Sequence, residues 1–207
     1  MLSAKHIPHP NELPLILAST SLFRRELLSR LQLPFLVVAP EADETPLPNE
    51  DPVVTAERLA VSKARAVAGK YPSALIIGSD QIAFCGNQRF GKPGTRQNAI
   101  AQLQRMRGQE VIFHTGLCLM NSVTGQLQVS GVPTEVRFRD YSDEEIIHYL
   151  DREDVLNCAG SAKSEGLGVT LLERMRSDDP TALVGLPLIA LCRMLRAEGL
   201  LMQDETA

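Results

Sequence analysis

The chain has 207 residues, of which 44 % are hydrophobic, and carries a formal net charge of −4 at pH 7 with a pI near 5.6. This length and composition suffice to bury the core of one large domain or of two lobes, and the acidic balance argues against a general binder of nucleic acids or anionic membranes. No uncharged apolar run reaches the roughly 18 to 20 residues of a membrane helix, so we expect neither a nucleic-acid polymer nor a membrane as partner.

The first 14 residues are polar and contain three prolines, so we expect a flexible leader over residues 1–14 ahead of a single domain over residues 15–207. The domain begins with an apolar strand at Leu15, followed by small hydroxyl residues. A helix with an apolar stripe is predicted over 22–31. Two arginines, Arg24 and Arg25, open that helix.

This strand, turn and helix favour a bound anion. Free backbone N–H groups at the start of the helix, the positive end of its dipole, hydroxyl groups and guanidinium groups all attract phosphate. The alternative is an ordinary connection in which Ser21 caps the helix and both arginines lie on the surface.

The rest of the chain alternates between predicted strands and helices, which indicates an α/β architecture. Residues 41–52 contain three prolines and five acidic residues, and are predicted to form a loop. The predicted elements are strands over 35–39, 75–77, 111–120 and 127–139, and helices over 55–71, 95–107, 143–150 and 187–197.

The four cysteines lie far apart, with neither a C-x-x-C motif nor a Cys/His ligand pair. This spacing indicates neither a zinc site nor a redox motif, and we interpret all four as buried free thiols. Residues 1–13 lack the apolar segment of a secretory signal. We therefore expect a protein of the reducing cytoplasm. The cysteines are Cys85, Cys118, Cys158 and Cys192.

Eight short motifs occur in a fixed order and together resemble the Maf family of nucleoside triphosphate pyrophosphatases. They are Ser19 to Arg25, Asp43-Glu44-Thr45, Ser62-Lys63-Ala64, Gly78-Ser79-Asp80-Gln81, Gly91-Lys92-Pro93, Cys158-Ala159-Gly160-Ser161, Ser164-Glu165-Gly166 and Val184-Gly185-Leu186-Pro187. Within the family, Ser-Asp-Gln and Ser-Glu-Gly are typical of the branch that acts on 7-methyl-GTP.

The resemblance implies a fold, a substrate class and a cofactor. The fold would be a long mixed, curved sheet flanked by helices, with two lobes around a central cleft, as in Maf and inosine triphosphatase-like proteins. The substrate would be a nucleoside triphosphate, and the cofactor a divalent metal cation, Mg or Mn. The resemblance also implies a homodimer.

The resemblance makes Asp80 the general base that activates water, and Glu44 the metal ligand. A carboxylate is a weak base, so a divalent ion is expected to acidify or orient the water. Asp43 is left as a supporting group. The alternatives are a turn aspartate that caps its own backbone at Asp80, and solvated carboxylates in the acidic loop.

Phosphate binding is assigned by the resemblance to Ser19, Arg24, Arg25, Lys63 and Lys92. Fixed cations near the departing pyrophosphate lower the barrier to hydrolysis between the α and β phosphates. Lys63 could instead be an ordinary lysine on a helix surface. No Walker-type phosphate loop occurs in the sequence, which disfavours kinase chemistry.

Base selection is assigned to Phe23, Gln81 and Glu165. A carboxylate can accept both the N1–H and the 2-amino group of guanine, and methylation at N7 adds positive charge to the ring. The sequence departs from the 7-methyl-GTP branch at Phe23, where that branch often carries Trp. Glu165 could instead be a structural residue of its glycine-rich turn.

The sequence therefore predicts a metal-dependent pyrophosphatase that converts 7-methyl-GTP to its monophosphate and pyrophosphate. Two alternatives remain. One is the same chemistry on another nucleotide, canonical or damaged. The other is a nucleotide-binding regulator of cell division or septum formation with little turnover.

Overall fold

The computed structural model describes residues 13–200, which form a mixed α/β fold around one seven-stranded sheet. Nearly all of the predicted leader lies outside the described residues. The strands are β1 (Leu15–Ala18), β2 (Phe35–Val38), β3 (Leu75–Cys85), β4 (Gln88–Phe90), β5 (Glu110–Asn121), β6 (Leu127–Phe138) and β7 (Leu172–Ser177). The helices of this region are α1 (Leu22–Ser29), α2 (Pro52–Ala68), α3 (Arg96–Met106), α4 (Asp143–Leu150) and α5 (Leu188–Ala197), with short 3₁₀ turns at Ala159–Ser161 and Leu167–Leu171.

The sheet branches along β3. Its order is β2-β1-β3-β5-β6-β7, with β4 pairing β3, and only the β1–β2 and β1–β3 pairs are parallel. On one edge of β3, pairing with β1 ends at Gly78 and pairing with β4 starts at Ala83. Residues 79–82 therefore lie where two strands diverge, and such a divergence leaves room for a cleft at the sheet edge.

Three groups of apolar side chains pack on this sheet. Two lie on one face, because alternate residues of a strand point to the same side: one contains Leu75 and Ile77 with α1 and α5, the other Ala83 with α3 and α4. The third lies on the opposite face, where Ile16 and Ile76 pack under α2. The same-face groups form the cores of two lobes that share one sheet, with residues 79–81 between them.

Helix α2 lies unusually close to the sheet. A Cβ atom on Gly78 would stand 2.1 Å from the carbonyl oxygen of Ala60, and one on Gly116 would stand 2.5 Å from that of Ala56. Gly116 is the β5 partner of Asp80. Small residues on both surfaces thus bring the α2 backbone down onto the strand that carries Asp80.

The predicted elements are confirmed, but several of their boundaries differ and the structure contains additional strands. The strand predicted over 75–77 continues to Cys85, and α2 begins at Pro52, which the prediction had placed in a loop. The two short strands β4 and β7 were not predicted. The polar residues at 79–81 break the apolar run of β3, and β7 exposes most of its side chains.

The interpretation of the cysteines is confirmed only in part. All four are free thiols, as expected. Only Cys118 is buried, whereas Cys85, Cys158 and Cys192 are half-buried, so the prediction of four buried thiols was wrong. Cys85 and Cys158 pack against the outside of the apolar group that contains Ala83. Across residues 13–200, none of the helices combines the length and the hydropathy needed to cross a membrane.

Candidate active site

The turn between β1 and α1 is held by its own hydroxyl groups. Ser21 is the N-cap of α1 and accepts a hydrogen bond from the backbone N–H of Arg24. The buried Ser19 Oγ accepts from the Ser21 N–H at 3.1 Å and from Arg24 Nη1 at 3.4 Å. The structure therefore contains both the Ser21 cap of an ordinary strand–helix connection and the cluster of Ser19 with Arg24 that was predicted for anion binding. The two interpretations do not exclude each other.

The side chain of Arg24 points inward. Its Nε donates to the Gly185 carbonyl at 2.8 Å. Burial lowers the pKa of Arg24, and the nearby carboxylates of Asp80 and Glu44 act against that effect. Arg25 is exposed, so the structure brings only the first of the two predicted arginines to the carboxylates.

Lys63 joins two of the predicted site residues. Its ammonium lies 2.6 Å from Asp80 Oδ1 and 2.8 Å from Glu44 Oε1. Lys63 is 4 % exposed and Asp80 9 % exposed, whereas the side chain of Glu44 is 53 % exposed. Lys63 is therefore not an ordinary surface lysine, and the acidic loop, α2 and β3 meet at its nitrogen.

The charges around Glu44 show which other groups are near. Partial burial acts to raise the pKa of Glu44, but the hydrogen bond from Lys63 and the charges of Lys63, Lys92 and Arg24 outweigh it and lower the pKa. Glu44 is thus held as a carboxylate with three cations around it. This arrangement concentrates positive charge locally in an acidic protein.

Lys92 lies in the fixed turn that its glycine and proline neighbours predict. The Gly91 carbonyl accepts from the Gly160 N–H at 3.2 Å and from Gln102 Nε2 at 3.1 Å, and the Gly94 N–H donates to Leu156 at 3.1 Å. The turn is thus fixed to the α3 lobe, and the exposed side chain of Lys92 lies near enough to Glu44 for its charge to lower that pKa.

A segment over residues 182–185 crosses the sheet between the two lobes. Ser79 Oγ lies 2.9 Å from the carbonyl oxygens of both Gly116 and Gly185, and its single hydroxyl hydrogen serves these two acceptors. Gln81 Nε2 has two hydrogens for three acceptors, the carbonyls of Ala182 and Leu183, each at 3.0 Å, and Thr115 Oγ1 at 2.9 Å. The amide nitrogen of Gln81 is therefore engaged within the protein.

Asp179 anchors this crossing segment, and the sequence analysis had not singled it out. The residue is 2 % exposed. Its Oδ2 accepts from the N–H groups of Ile189 and Ala190 at the start of α5, and its Oδ1 accepts from Thr181. The Asp-Pro-Thr sequence ahead of a helix was the available signal, since aspartate is a common partner of free helix N–H groups.

The remaining predicted base-reading residues lie on separate elements. Phe23 is half-buried on α1, and Glu165 is exposed in the turn that precedes the second 3₁₀ segment. Glu153 holds that turn, because its carboxylate accepts from the Leu167 N–H at 3.0 Å and pairs with Lys163 at 2.8 Å. The roles of Phe23, Gln81 and Glu165 in base selection stay predictions.

The donor set for a divalent cation is small. Between residues 13 and 200 no group of three or more His, Cys, Asp or Glu side chains is placed to hold a metal ion. Glu44 and Asp80 supply two carboxylates at one ammonium, and Asp43 is engaged in its own turn through the Thr45 N–H at 2.9 Å. Such a set fits Mg²⁺ or Mn²⁺ arriving with phosphates, since Mg²⁺ is usually bound by one or two carboxylates plus substrate oxygens.

Two concavities of the surface do not coincide with these charges. They are about 370 and 670 Å³ in volume, lie around α4 and contain none of the predicted site residues. We place the candidate site at Lys63 because buried, converging charges are more specific to chemistry than concave shape alone.

The mixed sheet branches beside a buried Lys–Asp pair, and the helix start next to it carries hydroxyl and arginine side chains. These features are typical of α/β proteins that bind anions. The family model for Maf-like proteins matches residues 14–198, and the chain belongs to this family.

Individual relatives support the assignment over almost the whole chain. The chain is 64 % identical over 188 residues to the 7-methyl-GTP pyrophosphatase of Aromatoleum aromaticum. The matched region covers 91 % of this chain and 97 % of the relative. It is 58 % identical to that of Burkholderia thailandensis (93 % and 91 % covered) and 56 % identical to that of Thiobacillus denitrificans (89 % and 92 %).

Proposed function

We propose that this protein hydrolyses 7-methyl-GTP to 7-methyl-GMP and pyrophosphate. Its relatives at 56 to 64 % identity carry the name of that activity. The observation that carries the proposal is the contact of Lys63 with both Asp80 and Glu44 beside the Ser19–Arg24 turn. This arrangement places a candidate base next to a candidate phosphate site.

The proposed catalytic residues fall into two groups, one that activates water as a general base and one that binds the phosphates. Asp80 accepts a proton from the attacking water, while Lys63 orients this carboxylate through the 2.6 Å contact. Arg24 and Lys92 face the phosphates from the two lobes, and Lys63 adds a third positive charge beside Asp80. Their charges offset the negative charge that builds up on the departing pyrophosphate.

A divalent cation is part of the proposal. Glu44 would hold it together with phosphate oxygens, and a bound cation lowers the pKa of water and neutralises phosphate charge. Glu44 suits this role because its carboxylate is half-exposed and ionised. Removal of divalent ions with a chelator is expected to abolish hydrolysis.

Base selection rests on Glu165 and Phe23. The carboxylate of Glu165 is exposed and therefore able to accept from the two adjacent donors of guanine. The ring of Phe23 offers an apolar face to the cationic methylated base. The amide of Gln81 supports the segment between the lobes through its nitrogen.

The deciding experiment measures pyrophosphate release from a nucleotide panel with Mg²⁺ and with Mn²⁺. The panel contains 7-methyl-GTP, GTP, UTP, TTP and a damaged purine triphosphate. The proposal predicts the highest kcat/KM for 7-methyl-GTP. Faster turnover of another nucleotide would reassign the substrate, and tight binding without turnover would favour the regulatory alternative.

We also propose that the protein acts in the cytoplasm as a homodimer. Four free thiols are compatible with a reducing compartment. Light scattering coupled to size-exclusion chromatography tests the oligomeric state, with a mass of about twice 22.7 kDa expected for the dimer.

A further inference from the structure

The acidic loop over residues 41–51 is tied to α2 by more than the Glu44–Lys63 contact. Arg58 of α2 forms a two-pronged ion pair with Glu50, with Nε at 2.6 Å from Oε1 and Nη2 at 2.8 Å from Oε2. The same Nη2 reaches the carbonyl of Thr45 at 3.3 Å. Arg58 therefore contacts the residue that directly follows Glu44.

Glu50 is the centre of this attachment. Its side chain is only 7 % exposed, and its Oε2 also accepts from Thr55 Oγ1 at 2.9 Å and from the Leu47 N–H at 3.2 Å. From β4, Arg89 donates to the Glu50 carbonyl. The contacts of Thr55 and Arg89 fix the loop to α2 and β4, and the Leu47 contact closes the loop on itself.

The loop needs such an attachment because of its charge. It carries five acidic residues and lies next to a sixth carboxylate, that of Asp80. Like charges at short range repel one another, so repulsion between Glu44 and Asp80 opposes the attraction of Glu44 to its cations, and a fixed loop favours the paired arrangement. Arg58 and Lys63 lie five residues apart on one helix, or roughly 7.5 Å along its axis, and hold the loop at two points.

We propose that Arg58 is a positioning residue, which holds the acidic loop through Glu50 and Thr45 so that Glu44 meets Lys63. It touches neither Asp80 nor the candidate phosphate cations. A bidentate guanidinium contact is suited to this task because two parallel hydrogen bonds fix direction as well as distance. This role of Arg58 rests on the proposed function only in the part of the test that measures enzyme activity.

The first arm of the test uses no substrate. Hydrogen exchange is compared between the wild type and Arg58→Gln, with Arg65→Gln as a matched control on the exposed surface of the same helix. We expect faster exchange in peptides covering residues 43–50 for Arg58→Gln alone, with β3 unchanged. Unchanged exchange over 43–50 would overturn the proposal.

The second arm is a double-mutant cycle with Glu44→Gln, measured as kcat on whichever nucleoside triphosphate the wild type hydrolyses fastest. Arg58→Gln is expected to lower kcat by about 10 to 100-fold, which is the loss typical when a group that orients a metal ligand is removed. In the Glu44→Gln background it should have almost no further effect. An equal loss in both backgrounds would mean a general structural role and would overturn the proposal.

Two provisions keep the result interpretable. If Arg58→Gln does not fold, Arg58→Lys replaces it, because one ammonium keeps the charge beside Glu50 but cannot span both Glu50 and Thr45. If the wild type is inactive on 7-methyl-GTP, the proposed function fails while the exchange arm still decides the role of Arg58.

Discussion

The Cβ position of Gly78 lies 2.1 Å from the carbonyl oxygen of Ala60, so α2 and β3 are in backbone contact. Three residues beyond Ala60, Lys63 reaches the carboxylate of Asp80. The distance between helix and sheet is thus set by the absence of a side chain at one position. Any residue larger than glycine there must push α2 outward.

Gly78→Ala is therefore expected to lower both stability and activity. Overpacking against rigid backbone typically costs about 1 to 3 kcal/mol, occasionally more. Urea unfolding and pyrophosphate release measure the two effects. Gly69→Ala is the control, since no atom lies within 4 Å of its Cβ position. Equal stability of the two variants would contradict the close contact.

Asp80→Asn tests the proposed base. The amide has nearly the same shape but cannot accept a proton from water, so turnover should fall by about 10² to 10⁴-fold. Circular dichroism and a thermal melt establish that the variant folds. A well-folded Asp80→Asn protein with most of the wild-type rate would remove Asp80 from the mechanism.

Lys63→Ala and Lys92→Ala test the phosphate cations. Each should lower kcat by about 10² to 10³-fold, as expected for a donor aimed at transition-state charge. Lys70→Ala is the control, because its side chain is 60 % exposed and pairs with the exposed Glu41. Small and equal effects of all three substitutions would return Lys63 and Lys92 to a purely structural role.

Glu165→Gln tests base selection. Glutamine replaces one accepting oxygen by a donor that would face a donor of guanine, and such a mismatch costs roughly 1 to 3 kcal/mol, or about 5 to 150-fold in relative specificity. The ratio of kcat/KM for 7-methyl-GTP over UTP should fall, whereas Glu173→Gln on the exposed β7 should leave it unchanged. An unaltered ratio would separate Glu165 from base reading.

Short-range signals in the sequence predicted many of the elements correctly. Helix α4 was predicted at its observed bounds, and in the structure it begins at a capping box of Ser142 and Glu145, which acts within four residues. The cap at Ser21 is equally local. Patterns of this kind are visible in one stretch of chain.

Long-range partners could not be predicted in this way. The prediction ended β3 at Ile77 because Ser79, Asp80 and Gln81 are polar. Their hydrogen-bond partners are distant in the sequence, at residues 63, 115 and 182–185. The joint contact of Lys63 with Glu44 and Asp80 depends on the same tertiary packing. The family motifs named these residues, but only the fold shows that one nitrogen joins them.

The strand β3 also contributes to the packed groups of both lobes, through Ile77 on one side of the polar residues and Ala83 on the other. Its ten paired positions with β5 run without a break between them. We therefore expect the two lobes to unfold as one cooperative unit rather than two. A nucleotide held between the Ser19 turn and Lys92 would stabilise that whole unit, by about 2.7 kcal/mol at a hundredfold excess over Kd.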